Sequence, residues 1–304
     1  MSKIVRAEDF VPSQHFSGLI YGPPGIGKTT FGISASKPLL IDCEKGMKCV
    51  ESHLAVDSVQ VNSINDIMTV LKEDLSDYDT IIFDTIGKFL EFLMLDIAAS
   101  NSSSNKMLQS DGTYTLKAYG VLGLRFKRLI SYVYSLNKSL IFIAHETERT
   151  DNEITVKRPA LVGQQAMCLL HDLDFVGYME VRGKKRIITF EPYNVAYTKN
   201  SIGLDGVIEV PNTTINGNTY IKDVMIPAFN ERRQGQKQQR QRHNELLSNI
   251  GLMVSESNDL NITMADIKEL DGITNNLLFE AKSLLDARAE VLGVKFCEEE
   301  KVYK

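Results

Sequence analysis

The sequence predicts an α/β fold: a mostly parallel central sheet with antiparallel edge strands and a small helical C-terminal appendage. Three observations lead there. Short apolar runs alternate with helical patterns from about residue 17 to 200. A glycine-rich loop joins the first apolar run to the first helical pattern. Near residue 231 the composition turns polar and basic before a helical apolar stripe resumes.

The elements follow in order. Gly18–Tyr21 reads as a short buried strand, and Gly22-Pro23-Pro24-Gly25-Ile26-Gly27-Lys28-Thr29 as a loop opening a helix over 28–36. Strands are expected at 38–42, 80–84 and 139–144. Helices are expected at 63–74, with Ser63 as N-cap, at 86–99 and at 116–137. Closely spaced runs at 174–181, 186–191 and 194–198 read as antiparallel additions at one edge. Segment 207–229 reads as a hairpin turning at Asn216-Gly217-Asn218. The expected organisation is a large α/β domain over 1–230, a basic polar linker or exposed helix start over 231–243 and a helical appendage over 244–304.

Composition sets limits. The chain has 304 residues, 43% hydrophobic and 24% charged, as in a globular protein of one large or two smaller domains. A net charge of −5 argues against a generally basic surface, so nucleic-acid contacts must come from local patches. Cys43, Cys49, Cys168 and Cys297 form no C-x-x-C pair and no zinc-like cluster, which fits reduced thiols. The N-terminus lacks the apolar core of a signal peptide, and no apolar run approaches the ~20 residues that span a bilayer. The expectation is a cytoplasmic protein without membrane contact, working in its own or in a host cell's cytoplasm.

The loop spells G-x-x-x-x-G-K-T between a strand and a helix, which is the arrangement of a triphosphate cradle. Residues Gly22 through Thr30 wrap an anion with several backbone N–H groups (Pro23 and Pro24 have none to give), Lys28 reaches the β- and γ-phosphates, and Thr29 holds Mg²⁺. The ligands this implies are ATP and Mg²⁺. Thr80-Ile81-Ile82-Phe83-Asp84-Thr85 is an apolar strand ending in an acid. Asp84 fits a Mg²⁺ ligand, and capping of the next helix is the competing reading. Leu39-Leu40-Ile41-Asp42-Cys43-Glu44 ends in two acids, of which Glu44 is favoured over Asp42 for orienting the attacking water. Leu140 through His145 ends in an imidazole, suited to sensing the γ-phosphate or to a structural hydrogen bond.

The order of these strand ends resembles the RecA-like P-loop ATPase core. Ile41–Glu44 looks like the strand with that family's catalytic Glu, Ile81–Thr85 like its Walker B strand, and Ile141–His145 like its third motif. Gly163–Met167 followed by Asp172–Val176 is similar to the return from its DNA-binding loop. Tyr197-Thr198-Lys199-Asn200 resembles the strand end whose lysine contacts a neighbour's ATP. The run Pro159–Gly163 and the His145-Glu146 ending resemble the phage-type proteins, some of which are single-strand annealing recombinases.

The resemblance implies catalytic roles for Glu44, Lys28, His145 and Lys199, a homo-oligomer, and single-stranded DNA binding in recombination, annealing or replication. DNA-facing loops would lie near 100–117, with Lys106 and Tyr114, and near 146–165, with Arg149, Lys157 and Arg158. The cluster Arg182-Gly183-Lys184-Lys185-Arg186 reads as an edge turn, with one cation as a candidate for a phosphate across a subunit contact. Two other functions compete. One is an ATP-switched interaction module that docks a replication or recombination protein. The other is a P-loop kinase, which would need an arginine-rich lid that this sequence lacks.

Overall fold

The computed structural model describes residues 15–151, 154–161, 169–191, 195–211 and 218–304. It divides into two units, Pro12–Asn230 and a second containing Glu231–Lys304.

In the first unit the apolar runs become strands: β1 (Ser17–Gly22), β2 (Pro38–Asp42), β3 (Ser58–Gln60), β4 (Thr80–Asp84) and β5 (Ser139–Asp151). They continue as β6 (Ile154–Pro159), β7 (Phe175–Arg182), β8 (Lys185–Thr189), β9 (Lys199–Asn200) and β10 (Val207–Glu209). The sheet runs β10-β8-β7-β1-β5-β4-β2-β3, with β6 paired to β5 and β9 to β7. Pairs from β7 through β3 are parallel. β8, β10, β6 and β9 add antiparallel. This is the mostly parallel α/β core expected, with antiparallel strands at its edge.

Both sheet faces are buried, which explains why the strands read as continuous apolar runs. Successive residues alternate between two cores. Leu39, Ile41, Ile81, Phe83, Leu140 and Phe142 join one core, and Leu40, Ile82, Ile141 and Ile143 the other. The first core is closed by α2 (Ile64–Val70), α3 (Ile86–Ala99) and α4 (Leu116–Ser135). Phe31 of α1 (Lys28–Gly32) belongs to the second. Side chains of Ser63, Thr85 and Thr115 cap the starts of α2, α3 and α4, each accepting a backbone N–H from the first turn.

Several expectations need correction. The third late run is not an antiparallel edge strand over 194–198: Asn194 lies outside the described residues, Ala196 makes an isolated parallel bridge to Lys157, and the antiparallel pairing with β7 begins at Lys199. Residues 146–151 and 154–159 are the outer half of β5 and β6, paired antiparallel rather than an irregular loop, and 162–165 of the expected loop lie outside the described residues. The expected DNA loop over 100–117 is anchored. Asn101 Oδ1 accepts the N–H groups of Met107 (2.7 Å) and Leu108 (3.1 Å), Met107 is buried, and Tyr114 packs against the core and Tyr119. Lys106 is exposed there.

The turn of the expected 207–229 hairpin falls largely outside the described residues, and its return strand is helical. Ile221, Met225 and Phe229 are buried at intervals of four, a helical stripe that the β-branched character of the run concealed. The start is tied down by Ser34: its hydroxyl accepts Ile221 N–H at 3.1 Å, and its carbonyl accepts Lys222 N–H at 3.0 Å.

Of the two readings of 231–243, a linker or an exposed helix start, the helical one agrees with the structure. These residues lie inside the helix Ile226–Glu256. Gln, Arg, Lys and Glu all have good helix propensity, so a run without an apolar face can still be helical. Arg242 pairs with Asp271 at 2.8 Å, and His243 with Glu280 at 3.4 Å. The second unit also contains helices Leu260–Glu269 and Asn275–Leu292, and a two-stranded ribbon of Phe296–Cys297 with Val302–Tyr303. Its core includes Ile250, Val254, Ile267, Leu277, Leu285 and Tyr303. No helix among the described residues is long and apolar enough to cross a membrane.

Candidate nucleotide-binding site

Strand register sets the site. Gly22 pairs with His145, Asp84 with Ile143, and Asp42 with Asp84, so the ends of β1, β5, β4 and β2 share one rim. In open α/β sheets this carboxyl rim is where ligands bind.

The loop backbone depends on glycine. Gly25 and Gly27 have φ of 73° and 94°, in the left-handed region that other residues avoid. At Gly22 an added Cβ would stand 2.2 Å from the Met179 carbonyl oxygen, so the loop leaves β1 in contact with β7. Lys28 is buried, and its ammonium donates to the carbonyls of Gly22 (2.9 Å) and Pro23 (2.7 Å). Burial pulls its pKa below the usual lysine range, while the charges of Asp84, Glu146 and Glu44 offset part of that.

The Thr29 hydroxyl donates to Asp84 Oδ2 at 2.5 Å, which brings the two expected Mg²⁺ ligands together. Burial raises the Asp84 pKa to about 6, opposed by the Thr29 hydrogen bond and increased by the charges of Asp42 and Glu44. Such a carboxylate lacks sufficient positive charge nearby. The chemistry of the donor set, one hydroxyl and one carboxylate beside a phosphate cradle, suits Mg²⁺, which retains waters and phosphate oxygens in its shell. Helix capping, the competing role for Asp84, is performed by Thr85, whose Oγ1 accepts Lys88 N–H at 3.4 Å.

The structure also separates Glu44 from Asp42. Asp42 is fully buried, and its two oxygens accept backbone N–H groups from Gly46 (2.9 Å) and Met47 (3.1 Å). Its carboxylate therefore fixes the turn that follows β2. Glu44 points into the crevice instead. Thr85 Oγ1 donates to its Oε1 at 2.5 Å, and His145 Nε2 lies 3.0 Å from its Oε2. Burial would raise the Glu44 pKa, but Thr85, His145 and Lys28 outweigh it and hold the group below the usual carboxylate range. Glu44 is thus kept ionised, as a water-orienting base requires.

Two cations fall elsewhere than expected. Lys199 pairs with Val176 near the start of β7, and its ammonium donates to the His171 carbonyl at 2.6 Å. Within one chain it stays apart from the loop. The 182–186 turn is present, with Gly183 at φ 66°. Arg182 pairs with Glu180 and Lys185 with Glu209. Arg186, by contrast, reaches its own phosphate loop: an added Cβ on Gly27 would stand 2.9 Å from its Nη1. The same-face spacing of Arg186 and the buried Ile188 on β8 was the available sequence signal.

Sequence reasoning also missed the groups around Glu146. A cavity of about 380 Å³ opens beside the loop, lined by Pro23–Ile26 on one side and by Lys157, Tyr178 and Glu180 on the other. The Tyr178 hydroxyl donates to Glu146 Oε2 at 3.0 Å, and Lys157 Nζ lies 3.6 Å from Glu146 Oε1. The Tyr21 hydroxyl reaches the carbonyls of Lys157 (3.1 Å) and Tyr197 (2.8 Å), tying the hairpin to the residue before the loop.

No curated protein matches the chain. Among solved structures it is similar to an ATPase domain, at 12% identity and a TM-score of 0.38, over 65% of this chain and 81% of that one. The model of the AAA domain family AAA_24 matches residues 14–202, which include the phosphate loop and the strand ends described above. The chain belongs to this AAA domain family and carries a P-loop ATPase domain.

Proposed function

We propose that the protein hydrolyses ATP in a Mg²⁺-dependent reaction coupled to single-stranded DNA binding, in phage-type recombination, annealing or replication. The observation that carries the hydrolytic part is the joined pair of contacts Thr29–Asp84 and Thr85–Glu44–His145 on one rim. Loop amides, Lys28 and Arg186 supply positive potential for the phosphates. Thr29 and Asp84 would hold Mg²⁺, which when bound neutralises charge on the phosphate oxygens. Glu44 orients the water and accepts its proton, and Thr85 and His145 fix the direction of its carboxylate.

The DNA part of the reading rests on the hairpin that grows directly from His145. The residue touching Glu44 is followed at once by strands carrying Arg149, Lys157 and Arg158. A change at the water-orienting acid would therefore reach the base of a segment that carries Arg149, Lys157 and Arg158 among the acids Glu146, Glu148, Asp151 and Glu153. Lys106 is the exposed cation of the other segment. Lys199 acts on a neighbour's ATP only in an assembly of copies, so its role goes with the proposed homo-oligomer.

ATPase rates with and without single-stranded DNA test the proposal, repeated with Lys28→Ala and Glu44→Gln. Stimulation by DNA, lost in both variants, is the expected result. DNA-independent turnover with no DNA retention would leave an ATP-switched interaction module as the better reading.

A further inference from the structure

The 146–159 hairpin has a salt bridge on the side facing the phosphate loop. Lys157 lines the cavity beside Pro23–Ile26, and its ammonium is 3.6 Å from Glu146 and 5.6 Å from the centre of the Tyr178 ring. Glu146 has a second cation near it, because its charge also acts on Lys28. The carboxylate thus pairs with Lys157 and acts on Lys28 through its charge alone, next to an anion cradle. Side chains of Lys157 and Glu146 are 33% and 20% exposed, so the pair is only partly screened and can exchange partners without unfolding.

We propose that Lys157 is a nucleotide-sensing cation: an incoming terminal phosphate takes over the place of Glu146, and the hairpin moves with its lysine. This rests on the ATP-binding reading above and assigns Lys157 to the nucleotide rather than to DNA. A terminal phosphate brings more negative charge than the carboxylate and offers three acceptor oxygens. Lys157 and Lys28 are then both drawn to it, and Glu146 is repelled. The movement has a mechanical connection. Lys157 N–H donates to the Val195 carbonyl (2.8 Å), and its carbonyl accepts the N–H of Tyr197 (2.9 Å) and the hydroxyl of Tyr21. These bonds are made by backbone, so replacing the side chain leaves them intact. ADP lacks the terminal phosphate and leaves the Glu146–Lys157 pair closed.

The test is calorimetric binding of ATPγS and ADP to the full chain and to Lys157→Ala and Lys157→Arg, with hydrogen exchange of residues 146–159. Lys157→Ala should weaken ATPγS by about tenfold or more, the loss of one charge-assisted hydrogen bond. Its affinity for ADP should change by less than about twofold, since no bond to that ligand is removed. Lys157→Arg should retain most of the ATPγS preference. In the unmodified chain ATPγS, but not ADP, should change exchange across the hairpin, and Lys157→Ala should abolish that change. Equal effects on both nucleotides, no effect on either, or an intact hairpin response in Lys157→Ala would overturn the assignment. If the unmodified chain binds neither nucleotide, the ATP-binding reading fails as well.

Discussion

Asp84 provides a thermodynamic test of the site that needs no turnover. Its carboxyl is raised from the ordinary 3.8 to about 6, first because it is buried and then because Asp42 and Glu44 stand nearby. A raised carboxyl favours the folded state only while it is protonated. That contribution is complete below about pH 4 and is lost as pH rises through about 6. Each pH unit is worth about 1.4 kcal/mol, so ionising Asp84 costs the protein about 3 kcal/mol above pH 7 when no nucleotide is added. Asp84→Asn removes that cost and keeps an oxygen to accept from Thr29. Urea or thermal melts from pH 4 to 8 should therefore coincide at the acid end and diverge upward. At pH 8 the variant should lead by about 3 kcal/mol, or about 6–12 °C for a unit of this size. Mg²⁺ with ATPγS should narrow or reverse the gap, because only the unmodified carboxylate gains a cation. Parallel pH curves for the two proteins, or a less stable variant at pH 8, would refute the argument.

Other outcomes follow from the same contacts. Glu44→Gln should lower turnover by about 10²-fold or more while nucleotide affinity holds, as for loss of a positioned base. Asp42→Asn should instead lower stability by about 1–3 kcal/mol, since one of its backbone N–H partners is left unsatisfied in a buried turn; denaturation melts and rate per folded molecule separate the two acids. Gly22→Ala should destabilise by about 1–3 kcal/mol and impair nucleotide binding, because a Cβ cannot fit against the Met179 carbonyl. Leu285→Ala should cost the C-terminal unit about 2–5 kcal/mol in melts. Nucleotide binding by 12–230 should persist if the unit around Glu231–Lys304 stands on its own core.

The parallel core was legible because its strands are buried on both faces and separated by capped helices. The run Thr80–Asp84 and the helix Ile86–Ala99 carry that signal almost to the residue. Motif spacing likewise placed Lys28, Thr29, Asp84, Glu44 and His145 on one rim, because all lie at or just past the carboxyl ends of the parallel pairing. Legibility failed where local pattern and tertiary partner disagree. Tyr220 through Val224 looks like a strand until the bonds from Ser34 and the Ile221–Met225–Phe229 stripe are seen. The resemblance implies a loop near 146–165, whereas 146–151 and 154–159 pair as strands whose polar sequence carries no apolar alternation to announce them. The Glu146–Lys157–Tyr178 group joins side chains from three successive strands, β5, β6 and β7, and it depends on strand pairing that no motif spacing specifies. The choice between Asp42 and Glu44 depended on two backbone N–H groups, which only coordinates reveal.

A crystal structure grown with ATPγS and Mg²⁺ tests the central claim most directly. The account predicts a triphosphate on the Gly22–Thr29 loop, a cation between Thr29 Oγ1 and Asp84, and a water held by Glu44 in line with the terminal phosphate. A triphosphate bound elsewhere, or one on the loop with its cation held away from Asp84, would contradict it.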